Sequence, residues 1–222
     1  MNCSTIDIDE LLRRGGGRLL YNGPGGRIAQ HGEDLILSDI TSGKALCDCL
    51  AFLSLPREPA FCVKSQDAAD AVQERFHLHG RRTPCAQWVY RKDTAPGFGG
   101  ADIRPLAEAD IPLAAPHYHL AHNSAAYLKK RADAGELWGI YEYGRLAGFM
   151  GLHGEGSLGI LAILPEYRRK GLASALEAWV IDWHLRRGWV PYGHVIDGNT
   201  ASAALQQRLG LTKAELPAIW VF

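Results

Sequence analysis

The sequence has no apolar run approaching the about 18 residues that a membrane-spanning helix requires, so no membrane association is expected. It has no excess of either charge: 24 Lys and Arg balance 24 Asp and Glu, a net charge of +0. That argues against nucleic acid or an anionic lipid surface as a partner held by bulk charge. Glycine and proline are too few for low complexity: 25 plus 11 makes 36 of 222 residues, below the ~25–30% that marks such segments. Residues 1–10 are acidic and lack the basic and apolar regions of a signal peptide. The five cysteines (Cys3, Cys47, Cys49, Cys62 and Cys85) are odd in number and show no C-x-x-C spacing. They read as reduced thiols of a cytoplasmic protein.

What is present suits a globular α/β (α+β) protein. Hydrophobic residues make up 47% and charged residues 22%, enough to bury a core. Residues 93–101, rich in Gly and Pro after an apolar strand at 85–90, are the best linker candidate. They divide the chain into residues 1–99 and 100–222. The two parts look like copies. Residues 63–78 align with 196–211 at an offset of 133 (196 − 63), and 86–90 with 218–222 at an offset of 132 (218 − 86). Each copy reads as a strand, a polar turn, an amphipathic helix and a final aromatic strand, which suggests internal duplication.

In the C-terminal part the pattern predicts a strand near Ile103 and a helical region over 108–134. Strands follow at 137–143, 146–153 and 158–164, then a helix at 171–187, a strand at 192–196, a helix at 200–209 and a last strand. The strand at 158–164 is a nearly unbroken apolar run, as expected of a strand covered on both faces. Leu172, Leu176, Trp179, Val180 and Trp183 recur at helical spacing, and Gly188 stops that helix.

The segment Leu161-Ala-Ile-Leu-Pro165-Glu-Tyr-Arg168-Arg169-Lys170-Gly171-Leu172-Ala173-Ser174 carries chemistry. A buried strand ends, a basic loop follows and Gly171 opens a helix. The N–H groups of residues 169–174 can converge on a diphosphate, and the helix dipole adds positive potential. Arg168, Arg169 and Lys170 supply cations, while Gly171 and Ala173 leave room for close approach. Thr41-Ser42-Gly43-Lys44 only superficially resembles a P-loop, because the earlier glycine is missing.

Arg168-x-x-Gly171-x-Ala173 resembles the acyl-CoA signature R/Q-x-x-G-x-G/A of the GNAT N-acyltransferase superfamily. The order strand, motif, helix, Asn199 and final strand matches as well. Residues 188–195 further resemble the glycine N-acyltransferase-like branch, whose members carry a degenerate GNAT-like N-terminal half. The resemblance implies a mixed central sheet with a splayed parallel strand pair, and acetyl-CoA as co-substrate with no metal. Pantetheine would bond to Leu161, Ala162 and Ile163, with the backbone N–H near Ile163 polarising the thioester carbonyl. The pyrophosphate would lie on Arg169, Lys170, Gly171, Leu172, Ala173 and Ser174, and Asn199 would reach the pantetheine arm. Asn199 is equally well placed to cap the helix at Thr200.

Transfer to an amine needs a base. The family's strand-borne Glu position, eleven residues before the motif's Arg, is Ser157 here (168 − 11), with Glu155 two residues earlier. A second family position for a Glu, five residues before Asn199, is His194 (199 − 5), whose ordinary pKa of ~6.5 suits neutral pH. His194 and Glu155 are therefore the catalytic candidates. The family's acidic Tyr, seven residues after the Asn, is replaced by Gln206 (199 + 7), which leaves the general acid unassigned. His117, His119 and His122 suggest an acceptor-pocket lining more than a metal site, since no carboxylate or cysteine completes a set. The N-terminal half lacks the cradle motif and is expected to bind no CoA, and Gly15–Gly17 and Gly23–Gly26 read as hairpin turns.

The expected activity is acyl-CoA-dependent N-acyl transfer to a small primary amine or amino acid in a ternary complex, by a monomer or homodimer. A non-catalytic CoA-binding sensor is the alternative, and an enzyme acting on protein lysines or N-termini a third.

Overall fold

The computed structural model describes residues 3–121 and 123–222. In chain order the elements are α1 (Ile6–Arg13), β1 (Gly17–Gly23), β2 (Gly26–His31), β3 (Leu35–Ser38), α2 (Gly43–Leu50), β4 (Ala60–Val63), α3 (Gln66–Arg75) and β5 (Arg82–Val89). Then come β6 (Asp102–Pro105), α4 (Ile111–Ala114), α5 (Ser124–Asp133), β7 (Leu137–Glu142), β8 (Arg145–Leu152), β9 (Leu158–Ile163) and α6 (Leu172–Leu185). β10 (Tyr192–Ile196), α7 (Thr200–Leu209), β11 (Thr212–Lys213) and β12 (Ala218–Val221) complete the chain. Residues 93–101 contain no strand or helix.

Two compact units emerge. The first holds the chain up to Val89 with residues 192–206 and 211–222; the second holds 90–191 and 207–210. Neither is a continuous stretch of chain.

The first unit is a mixed sheet in the order β1-β2-β3-β4-β12-β5-β10, parallel only between β3 and β4. Strand alternation sorts its side chains into two layers. Phe61, Val63, Ile219 and Val221 face Leu46, Leu50, Ala68 and Val72 of α2 and α3. Cys62, Cys85 and Ala218 face Ile8 and Leu11 of α1. Ser42 and Ser65 cap α2 and α3 by accepting from the backbone N–H of Ala45 and Ala68. Gly23–Gly26 is a hairpin turn, as expected, joining β1 to β2.

Gly15–Gly17 is not a hairpin turn. Gly15, at φ +70°, ends α1: the Gly15 and Gly16 amides bond back to the carbonyls of Leu12 and Leu11. A helix stop and a hairpin both demand glycine, so composition alone cannot separate them. The P-loop look-alike is a helix start already held by a carboxylate, because the Gly43 amide donates to Asp67 Oδ2 at 2.7 Å.

The second unit has an antiparallel sheet, β6-β7-β8-β9. Trp138 of β7 meets Trp179 and Trp183 of α6 at 5.4 and 4.9 Å between ring centroids. Another cluster joins Leu137, Phe149 and Ile160 to Ile111 and Leu128 of α4 and α5. The helical region expected over 108–134 comes in separate short pieces. Pro116 removes a backbone donor, Tyr118 is extended, and Asn123 starts α5 afresh by accepting from the Ala126 amide. Gly188, at φ +66°, closes α6 with a Schellman pattern in which the Trp189 amide reaches His184 O.

Gly43 packs α2 directly on α3: an added Cβ would collide with the Asp67 carbonyl oxygen and lie 2.7 Å from Ala71 Cβ. Gly43→Ala is expected to cost about 1–3 kcal/mol in urea unfolding, with the slope unchanged.

Candidate active site

The basic loop after β9 turns into α6 through two left-handed residues. Arg168 is extended, Arg169 is left-handed at φ +66°, and Gly171 is left-handed at φ +80° as the N-cap of α6. Left-handed residues turn successive amides towards a common point. No side chain caps α6, so its first amides and positive dipole end are not spent on a protein carboxylate or hydroxyl at that position. Nothing lies within 4 Å of where a Gly171 Cβ would stand. Arg168 Nε donates to Ile163 O at 3.1 Å, which ties the loop to the end of β9. Lys170 Nζ lies 5.2 Å over the Tyr167 ring. Arg208 Nη1, not singled out in the sequence, reaches Ser174 Oγ at 3.5 Å and adds a further cation.

β9 is interrupted by a bulge. Gly159 pairs with Gly151 and Ala162 with Phe149, so Met150 alone opposes Ile160 and Leu161. Ile160 is buried at φ +57°, a conformation that strains a β-branched residue. The bulge breaks the regular ladder at that point. Leu161, Ala162 and Ile163 are only half-buried, so the strand is not covered on both faces as its apolar run suggested.

Glu155 lies in the turn after β8, short of β9, and is 5% exposed. Extended structure stops at Leu152 and resumes at Leu158, so Glu155 and Ser157 do not share a strand face. Ser157, at the position where the family's Glu was expected, donates its hydroxyl to Glu155 Oε1. Nearby, Tyr127 Oη and His153 Nδ1 are 2.8 Å apart, and the Tyr118 ring stacks on Tyr127 at 5.7 Å. Burial, reinforced by the Glu155 charge, pushes the Tyr118 phenol up to about 12. Burial likewise raises Tyr127. Burial lowers the His153 imidazole against the pull of Glu155 and keeps it neutral. His117 falls in a 3-10 turn and His119 outside any helix, while His122 lies outside the described residues. No cluster of three metal-binding side chains occurs among the described residues.

In the first unit, His194 of β10 stands directly across from Gln87 of β5. His194 Nε2 is 3.0 Å from Gln87 Oε1, and Lys64 Nζ reaches the same oxygen at 3.0 Å. Lys64 Nζ also contacts Asp7 Oδ2 at 2.5 Å, with both side chains 0% exposed. Gln87 Nε2 donates to Cys3 O. The rings of Tyr192 and Trp220 stand edge-on to the imidazole at 5.8 and 5.7 Å. Burial would raise the Asp7 carboxyl, but the Lys64 and His194 charges and hydrogen bonds from Lys64 and the Ile8 amide hold it below 3.8. Asn199 Oδ1 accepts from the Ser202 amide at 3.1 Å, so it caps α7. Sequence reasoning missed Asp7, Lys64 and Gln87. The signal available was one polar residue, Gln87, where the aligned copy has Ile219.

Residues 53–211 match the model of the Acetyltransferase (GNAT) family. The chain belongs to that family. Solved structures agree in fold. A Drosophila protein is 21% identical over 89% of this chain and 73% of its own, with a TM-score of 0.68. A GCN5-related N-acetyltransferase from Kribbella flavida is 14% identical over 98% and 93%, TM-score 0.58. A GCN5-related N-acetyltransferase-like protein from Streptococcus suis is 15% identical over 98% and 93%, TM-score 0.57. No curated protein matches this GNAT chain significantly.

The buried ion pair makes a stability prediction for this GNAT protein. Asp7→Asn leaves the Lys64 ammonium uncompensated and is expected to cost about 3–5 kcal/mol at neutral pH. The Asp7 carboxyl is lowered in the folded chain, so its contribution is present above pH 3.8 and fades as pH falls through the folded value. Urea unfolding of both chains between pH 7 and pH 3 should show their stabilities converge at the acid end.

Proposed function

We propose that this GNAT protein transfers the acetyl group of acetyl-CoA to a small primary amine or amino acid, by direct transfer in a ternary complex. The observation that carries the reading is the loop from Arg168 to Gly171. It has two left-handed residues, an uncapped helix start and open space at Gly171. That geometry fits a diphosphate, with Arg168, Arg169 and Lys170 beside it and the amides of Leu172, Ala173 and Ser174 ahead. Leu161, Ala162 and Ile163, beyond the bulge, would pair with the pantetheine amides, and an N–H there would polarise the carbonyl. Asn199 spends its carbonyl oxygen on α7 and keeps its NH2 group for the pantetheine arm.

The acceptor nitrogen attacks the thioester carbonyl, the C–S bond breaks, and the thiolate takes a proton from solvent because Gln206 cannot give one. His194 and Glu155 are the two candidate bases for the amine proton. The set of buried Tyr118 and Glu155 with half-buried Tyr127 and His153 suits an acceptor lining that combines aromatic faces with one carboxylate. The same reading takes residues 1–99 as a degenerate GNAT-like half and 100–222 as the CoA-binding half, in the style of the glycine N-acyltransferase-like branch. It places a monomer or homodimer in the cytoplasm, with no nucleic acid, membrane or metal needed. Among the described residues, no helix is long and apolar enough to cross a membrane. Ser157 and Gln206 at expected catalytic positions favour a second reading, a CoA-binding sensor.

Calorimetric titration with acetyl-CoA should show binding, weakened at least about tenfold in Gly171→Val, whose β-branched side chain opposes φ +80°. A free-thiol assay over an amine panel should show turnover that falls in His194→Ala or Glu155→Gln. Unchanged turnover in both discards the base assignment, and binding without turnover of any amine favours the sensor.

A further inference from the structure

We infer that Gln87, clamped by the buried Asp7–Lys64 pair, is a positioning residue that keeps the proton of neutral His194 on Nε2, so that Nδ1 is the basic atom of the ring. Its catalytic consequence rests on the reading of His194 as a base; the tautomer itself does not.

The argument starts from which atoms can donate. A lysine ammonium has three hydrogens and no acceptor, so the amide atom 3.0 Å from Lys64 Nζ must be the Gln87 oxygen. A backbone carbonyl only accepts, so the amide atom facing Cys3 O must be the nitrogen. Both ends of the Gln87 carboxamide are thus fixed independently, which removes the usual freedom to exchange O and N. His194 Nε2 lies 3.0 Å from that same oxygen. An oxygen opposite an imidazole nitrogen requires N–H there, and a neutral imidazole carries one hydrogen. The lone pair is therefore on Nδ1. That atom is buried.

Packing alone does not call for this arrangement. Asp7 and Gln87 are 0% exposed and Lys64 1%, and well-packed apolar side chains of similar volume hold such a site as well or better. An apolar trio, however, cannot orient an imidazole. The pair also cancels its own charge. Lys64 fixes the amide without leaving an isolated cation near the ring, because Asp7 Oδ2 sits 2.5 Å from Nζ.

Long-range 1H–15N correlation spectra of the full-length chain read the tautomer directly, with the His194 signals assigned by their loss in His194→Ala. The wild-type ring, measured where it is neutral, should be Nε2-protonated. Gln87→Leu should give a mixture, and Gln87→Glu, which keeps an acceptor oxygen, should restore the single form. In the thiol assay Gln87→Leu should lower kcat about tenfold with KM nearly unchanged, and Gln87→Glu should recover part of it. If Gln87→Leu does not fold, Gln87→Met, which also removes the acceptor oxygen but keeps an unbranched side chain of similar length, should mix the tautomers. A wild-type ring protonated on Nδ1, or a single tautomer surviving in the folded variants, overturns the inference while leaving acetyl transfer intact. A tautomer that behaves as expected in a protein that acetylates no amine supports the Gln87 assignment and sinks the proposed function alone.

Discussion

An ammonium and a carboxylate with no access to water must stay together, because separating them leaves a buried charge with no partner. Lys64 and Asp7 form such a pair, and it binds α1 to the end of β4. Through Gln87 it extends to β5 and across to β10. The first unit is assembled from the two ends of the chain, and this network ties them together on the α1 face of the sheet. On the opposite face, Phe61, Val63, Ile219 and Val221 contribute only non-directional burial. The α1 face contributes geometry as well as burial.

The second unit places three of its positive-φ residues in one short stretch. Ile160, Arg169 and Gly171 all have positive φ, within twelve residues of chain (160–171) that run from a bulged strand through a loop to a helix start. For Gly171 the conformation is nearly free, whereas for Ile160 it is strained and persists because a well-packed core surrounds it. Such strain has a use where backbone groups must leave their own ladder to face a ligand.

Much of this was legible in the residues. The strand at Tyr192–Ile196 and the helix at Thr200–Leu209 lie where their periodicity placed them, and Gly171 and Gly188 bound α6 as expected. The loop into α6 was readable because its requirements are local: a strand end, a glycine and a helix start within a few residues. Asn199 as a helix cap was readable for the same reason. The break between α4 and α5 was not, since short helices separated by extended residues keep an average helical spacing. Whether the extended strand reached Glu155 was not readable, because the turn around it depends on pairing between β8 and β9.

The sequence by itself determined the elements, the turn chemistry of Gly171 and the loop of cations before it, since each depends on residues a few positions apart. Only the tertiary structure decided that Asp7, Lys64, Gln87 and His194, spread from one end of the chain to the other, share one hydrogen-bonded chain. The physical reason is that strand neighbours are chosen by sheet order and register, and no local pattern records which strands will lie side by side.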